Sequence, residues 1–450
     1  MSGIGSVAIV GHGARAWPVA ALLATELPES VTVCVFERAD PGVPVAAVIP
    51  AGGDFARRLG FTPEQLMEQD WVISSLGSVL EGFKRAASAT VVAPSGSLPM
   101  VGGVALHHLV RRTVQAKRTG EFGSAWNRFR FCARAAQAGK MALPSDAPQS
   151  PLAMLGPQVS FDCAHLAAFL RQRAGKRVSV SQGEPVWVDR DGDGPIQGIV
   201  LDDGERVTAE LYIDCDGSLD AWATGAWAAK EAPLGELLDD KARMPRFRAL
   251  DNAVVCEIPV RDGTLATPWP LARSELLERP WEANLVRLGR TSAPDLFSAH
   301  FALLSAQALH LADCFPASRR MQAEAQVFNR RQDETRAQIE AFALAPLYLS
   351  DRGGEAWDAF RSVAPPEQLR LRIEQFASRG RMPRFEREWA DEQSWIDLLT
   401  IMGVEPRRHD RRADAIPIAQ AARILEQIGS DLDRALATMP DASTFEARFG

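Results

Sequence analysis

Residues 6–20, SVAIVGHGARAWPVA, hold the first arrangement able to do chemistry. A short apolar strand, Val7 to Val10, runs into Gly11-His12-Gly13-Ala14-Arg15-Ala16, and a helix is expected to start near Trp17. Such a turn suits a dinucleotide pyrophosphate. Gly11 permits the tight turn and Gly13 lets the backbone approach the phosphates. Ala16, in the place of a third glycine, leaves room for close helix–strand packing. Free N–H groups at the helix start, around Ala14, would face the phosphate charge, and Arg15 could add a cation. Pro18 is expected in the first helical turn, where a missing N–H costs little. VTVCVFE at 31–37 reads as a second strand. Its closing Glu37 comes about 20 residues after the glycines, the distance that suits a ribose hydroxyl.

Other chemically suggestive stretches read as structure. DRDGDG at 189–194 puts acids at calcium-loop positions one, three and five, but Val200 stands where a bidentate Glu is required. It reads as a hairpin turn. His107-His108, His165, His300 and His310 have no acidic partner that marks them as catalytic, and they are read as structural or surface residues. RRHDRR at 407–412 is expected to face solvent. There is no Gly-x-Ser-x-Gly elbow, Walker loop, His-Glu-x-x-His motif or metal-ligand pattern. The six cysteines lie far apart and read as buried free thiols in a reducing compartment. Eleven tryptophans against two tyrosines could line a pocket for a flat substrate, but they are scattered, so most are assigned to the core.

The elements that must position the turn fit an α/β protein. The 450 residues are 46% hydrophobic and 24% charged, a globular mix long enough to bury a large core. The net charge of −7 argues against nucleic acid as a partner. The lack of a long apolar run argues against a membrane span, and a cytoplasmic location is expected. TPEQLMEQD opens a helix with Thr62 as N-cap, Pro63 at its first position and Gln65 completing a capping box. Residues 104–118, 163–175 and 299–313 read as helices. Strands punctuated by Asp-Gly turns run from Arg177 to Gly217 and end on LYIDCDG. From about 317 onward the chain reads as helical. The expected division is a dinucleotide-binding body with an inserted substrate region at 1–316 and a helical region at 317–450.

The ordered pieces resemble the flavin-dependent tryptophan halogenases. IVGHGARAW resembles that family's opening glycine turn, and IPAGGDFARRLGFTPEQLMEQ its substrate-side segment. SPLAMLGPQVSFDCAHLAAFLRQRA, IVLDDGERVTAELYIDCDG, SWIDLLTIMGVEPRRHD and LATMPDASTF follow in the family's order. The resemblance implies a Rossmann-like FAD-binding module of the glutathione-reductase/hydroxylase type, with an inserted β-sheet substrate region and an α-helical C-terminal part. It also implies FAD as cofactor, held by Gly11, Gly13, Ala14, Ala16, Glu37 and Gly289, and a small aromatic substrate. A homodimer is left open.

The chain departs from the family's chemistry in several places. The family lysine that holds or guides hypohalous acid corresponds to about Ser74, in DWVISSLG. VVCEIPVRD at 254–262 carries Ile258-Pro259 without the tryptophans of the family's Trp-x-Trp-x-Ile-Pro motif. Val45-Ala46-Ala47 stands in place of Gly-Glu-Ala. Gly289-Arg290 replaces a glycine followed by an acid, and LFSAH at 296–300 replaces Glu-Ser-Thr-Ser. The expectation is a divergent flavin-dependent halogenase or monooxygenase relative with weakened FAD binding and no tryptophan halogenation. The alternative is a non-catalytic binding or partner protein that keeps the fold. An NAD-dependent dehydrogenase is disfavoured, because the strand meander and helical tail do not supply its second catalytic domain.

Overall fold

The structure is a computed structural model. It describes residues 3–448 apart from 39–44, 86–88, 95–99, 118–119, 182, 184, 191, 193, 220–234, 241, 273–278, 290–292 and 387. Strand β1 (Ser6–His12) runs directly into helix α1 (Gly13–Glu26), and the chain returns as β2 (Thr32–Arg38). β1 pairs in parallel with β2 on one side and with Leu211–Asp214 on the other. Val178–Val180 and Leu285–Arg287 extend this parallel sheet, and Trp281–Glu282 adds an antiparallel edge. The result is the α/β, Rossmann-like body expected from the sequence. The alternation of β1 explains its two faces: Val7 and Ile9 join the main core, whereas Ala8 and Val10 join a smaller core with Phe36, Val188, Ile199 and Tyr212.

Two details differ from expectation. α1 begins at Gly13, four residues before Trp17, so Pro18 lies in its second turn and not its first. The apolar side chains drive the early start, since every residue from Ala16 to Ala24 is buried. The expected single meander is divided. Its first and last strands, Val178–Val180 and Leu211–Asp214, enter the large parallel sheet. Only Pro185–Arg190, Ile196–Leu201 and Arg206–Val207 form a sheet of their own. Near-continuous apolar runs suit a strand covered on both faces, which is why LYID is drawn into the centre.

A second layer stands over the sheet. β3 (Ala46–Pro50) and β4 (Val72–Ser75) flank Gln158–Asp162 in an antiparallel trio. Beside it lies a six-stranded sheet, in which Ala253–Val260 and Gly263–Pro270 form one long hairpin. The C-terminal helices Gln322–Tyr348, Glu367–Arg379, Glu392–Ile401 and Ile418–Thr438 close the molecule. The capping box at Thr62 and Gln65 forms as read. His107 and His108 are buried, and within 407–412 Asp410 is buried between exposed arginines. Among the described residues no helix is long and apolar enough to cross a membrane.

Candidate functional site

The glycine turn is shaped by contacts that leave no space for side chains. A Cβ on Gly11 would lie 2.9 Å from the Cβ of Cys215, at the end of the neighbouring parallel strand. A Cβ on Gly13 would lie 2.5 Å from Oε1 of Glu37. The turn therefore brings Gly11, Gly13 and Glu37 together, as the sequence predicts, with Ala14 half-buried and Ala16 fully buried under α1. The N-terminus of α1 has no side-chain cap and no acid in its first turn. Its first N–H groups thus present a positive helix end with no carboxylate in the helix's own first turn. Two buried polar atoms beside it, Nδ1 of His12 and Nε1 of Trp17, have no hydrogen-bond partner. Buried orphans of this kind are rare and mark a place where a ligand can complete the bonding.

Glu37 carries a partner of its own. Arg171 donates from Nη1 to Glu37 Oε2 at 3.1 Å, and its guanidinium lies 5.5 Å from the Trp17 ring. His12 Nε2 lies 3.4 Å from Asp216 Oδ2. These residues fit the adenosine half of a dinucleotide: uncapped amides for phosphate, a carboxylate for the ribose and an aromatic and guanidinium wall beside it.

Gly289 stands at the end of the late strand, with φ near +74°, and its N–H donates to the buried Gln307 Oε1 at 2.6 Å. Arg290, in which the sequence comparison placed a change, lies outside the described residues. The following loop is strained. Phe297 and Ser298 are consecutive left-handed residues, with φ of 56° and 53°, and neither is glycine. Such residues cost about 1–3 kcal/mol each and persist where packing holds them. Phe297 is wedged between Phe247 and Phe342 at 4.8 and 5.1 Å. Ser298 Oγ accepts the N–H of Val48 in β3 at 2.8 Å. Just before it, Asp295 accepts the N–H of His300 at 2.8 Å. Burial pushes its carboxyl above the usual range, against the opposing pull of His300 and of Arg15 in the first turn of α1. The strained loop LFSAH is thus tied to β3 through Ser298.

β3 and Phe297 of the loop both border a cavity of about 740 Å³, a volume usual for a small-molecule site. β3 supplies Val48, Ile49 and Pro50; the C-terminal layer supplies Phe342 and Trp389. Gln158 and Ser78 form part of its wall, and Gln158 Nε2 is within 3.1 Å of both Ser75 Oγ and Ser78 Oγ. Ser74 and Ser75 alternate along β4. Ser74 stands in register with Val159 and is half-buried, while Ser75 joins the Gln158 cluster. Arg58 is the one arginine of the described lining, and it is bound on both sides, by Glu26 at 2.8 Å and Asp313 at 2.7 Å.

Sequence reading missed Asp295, Gln158, Ser305 and Trp389. Gln158, Ser305 and Trp389 come from distant parts of the chain and meet only at the cavity wall, and Asp295 lies outside that lining. The sole local signal was the helix start at Asp391, where the side chain caps Ser394 N. The tryptophans are mostly core, as expected: Trp17, Trp126, Trp281, Trp357 and Trp395 are fully buried, while Trp389 lines the cavity.

Comparison with known proteins places this arrangement. A family model described as tryptophan halogenase matches residues 6–230 and 257–418. Tryptophan 7-halogenase RebH of Lentzea aerocolonigenes is 26% identical over 164 residues, which is 35% of this chain. The matched part spans 29% of that relative's length. A flavin-dependent halogenase from Brevundimonas sp. BAL3 has the same fold, with a TM-score of 0.84, 23% identity and 99% of both chains covered. One from Xanthomonas campestris gives 0.83 at 22% identity, covering 99% of this chain and 98% of its own. A tryptophan 6-halogenase from Streptomyces toxytricini gives 0.79 at 18%, covering 99% of each. With the family model spanning both the glycine turn and the helical layer, the chain belongs to the tryptophan halogenase family.

Proposed function

We propose that the chain is a flavin-dependent oxidoreductase that binds FAD at the glycine turn, weakly, and does not halogenate tryptophan. FAD, when bound and reduced, supplies the oxidising power by reaction with dioxygen. Gly11, Gly13 and the α1 amides would hold its pyrophosphate, Glu37 its ribose, and the strained 296–298 loop would border the ring end. The cavity bordered by β3 would receive a small aromatic substrate.

One observation carries the departure from halogenation. The chain has only six lysines, and of the four described none lines the cavity. Lys84 donates to Leu349 O at 3.2 Å and Lys140 pairs with Asp441 at 2.9 Å. Lys117 and Lys176 are exposed. Lys230 and Lys241 lie outside the described residues. Ser74 carries a hydroxyl at about the position where the family resemblance asks for an amine, and a hydroxyl supplies neither a cation nor a nitrogen nucleophile. Weak FAD binding is supported by Arg290, which stands where the resemblance asks for an acid.

The test is a flavin titration followed by turnover. FAD is expected to bind in the micromolar range or weaker. With a flavin reductase, halide and tryptophan, no halogenated product should exceed the no-enzyme control. Submicromolar FAD binding would overturn the weak-cofactor reading, and product accumulation the loss of halogenation. No FAD binding at all would favour a non-catalytic protein.

A further inference from the structure

At the outer edge of the glycine turn Gly13, Trp17, Glu37 and Arg171 close on one another. A Cβ placed on Gly13 would lie 2.5 Å from Glu37 Oε1 and 3.7 Å from Cδ1 of Trp17. The other carboxylate oxygen, Oε2, accepts from Arg171 Nη1 at 3.1 Å. The Arg171 guanidinium lies 5.5 Å from the centre of the Trp17 ring, within cation–π range. Arg171 stands in the last turn of helix Cys163–Ala174. Just beyond that helix Arg177 donates from Nη2 to Ala24 O and Leu27 O, at the far end of α1, at 3.3 and 3.0 Å. The helix that carries Arg171 is thus fastened to the helix that carries the turn. In the Arg171–Glu37 pair the arginine side chain is 53% exposed and the glutamate 30%. An ion pair that open adds little to stability. Its effect falls on direction: with Oε2 tied to Arg171, Oε1 is turned to Gly13 and the start of α1.

We infer that Arg171 is a positioning residue for the nucleotide ribose: it holds Glu37 so that Oε1 meets the 2′-hydroxyl, and thereby makes the turn select a ribonucleotide over its 2′-deoxy counterpart. A glutamate at a strand end otherwise samples several rotamers, and that freedom is given up when a ligand binds. Arg171 makes the choice before the ligand arrives. A guanidinium suits the task because one planar group both faces the carboxylate and lies against the indole. A cation here has two other possible roles, and they leave different traces. As a plain charge it would attract the pyrophosphate of either nucleotide equally. As a block it would cover Glu37, and its removal would strengthen ribose recognition. The division of the two oxygens speaks against a block, since Oε1 keeps its place beside the turn. The inference rests on the reading that the turn holds a nucleotide, and it is independent of the cavity and of any turnover.

The experiment is titration calorimetry of the full-length protein with ADP and with 2′-deoxy-ADP, read as the ratio of the two affinities. The wild type should prefer ADP about tenfold, the scale of one hydrogen bond to a charged acceptor. Arg171→Leu should cut that preference to about two- to fourfold, the reach of an exposed ion pair. Glu37→Ala should abolish it. In the Glu37→Ala background Arg171→Leu should change the ratio no further, because its effect passes through the carboxylate. If Arg171→Leu weakens both nucleotides equally and leaves the ratio at its wild-type value, Arg171 is a plain phosphate charge and the inference is overturned. A ratio that rises in Arg171→Leu would make Arg171 a block, which also overturns it. A wild-type ratio of one would show that Glu37 does not read the ribose, with the same result. Failure of ADP to bind the wild type at all would remove the nucleotide reading of the turn, and the inference with it.

Discussion

The proposed adenosine end, at the glycine turn, and the cavity end are built by different means. At the adenosine end the working parts are backbone: two glycines whose neighbours leave no space for a Cβ, and the amides of a helix start. Residues 6–37 supply nearly all of it. At the cavity end the working parts are side chains, drawn from β3, the 158–162 strand, the 296–298 loop and the C-terminal helices. A backbone cradle cannot be altered one residue at a time without clash. A side-chain cavity can be, because each lining group is replaced while the strands beneath it keep their register. A fold of this kind can therefore keep its glycine turn while the lining of its cavity changes.

The largest effect expected in the molecule lies outside both ends and fixes the pH at which either can be probed. His107 and His108 lie with ring centroids 4.0 Å apart, tilted by 42°, in the joint between the 106–117 helix and the C-terminal layer. His107 bonds to Gly380 O at 2.7 Å, and His108 Nδ1 accepts from Asp410 N at 3.3 Å. Burial lowers their pKa values to about 4 and about 3, with repulsion from His107 adding to the shift of His108. An unfolded histidine takes up its proton near pH 6.5. Between that pH and about 4 the unfolded chain binds protons that the folded one refuses. The stability contribution is thus complete above pH 6.5 and is lost as pH falls, by several kcal/mol in order of magnitude. Asp410, whose carboxyl is held low by Arg412 and Arg381, loses its contribution only at still lower pH. The urea midpoint should fall steeply between pH 7 and 4.5, and His107→Phe combined with His108→Gln should flatten the slope. An unchanged wild-type midpoint over that range would contradict the buried, neutral pair.

Next in size is a change at the adenosine end. Gly13→Val sets a branched side chain against Glu37 Oε1 and into the space the pyrophosphate needs. Affinity for both ADP and FAD should fall more than a hundredfold, equivalent to at least about 2.7 kcal/mol. Because the one atom closer than 3 Å to the new Cβ is the tip of the flexible Glu37 side chain, which can swing aside, thermal stability should change little. Calorimetry with ADP separates this end from the other. If ADP binds Gly13→Val as it binds the wild type, the turn does not hold the nucleotide and the comparison between the ends collapses.

How much of each end was legible in the sequence follows from the same contrast. The turn, β2 and Glu37 are contiguous, and their spacing is dictated by the length of one helix and two loops. Reading them needed only strand and glycine patterns. The misplaced start of α1 shows the limit: His12 and Gly13 carry no cap signal, and tertiary burial decided where the helix began. The cavity could not be read. Val48, Gln158, Ser305 and Trp389 are far apart in the chain and share no motif. Their meeting depends on an antiparallel trio whose order, β3, then 158–162, then β4, is not the order of the chain.

The smallest of these effects concerns the loop between the two ends. Ser298 holds β3 through Val48 N and does so in a left-handed conformation. Ser298→Ala keeps the conformation and loses the bond, leaving a buried N–H unpaired, at about 1–2 kcal/mol. Ser298→Gly loses the same bond but removes the Cβ that makes left-handed geometry costly, a relief of about 1 kcal/mol. The extra freedom of glycine in the unfolded chain offsets part of that gain. The glycine variant should therefore be more stable than the alanine variant by roughly 0.5–1 kcal/mol, measured by urea unfolding at pH 7.5, where both histidines are neutral in either state. ADP affinity should be the same in the wild type and both variants, because the loop does not touch the glycines of the turn. An alanine variant as stable as the glycine one would mean that the backbone at Ser298 is relaxed. A shift in ADP affinity would mean that the two ends are coupled through β3, and that the loop belongs to both.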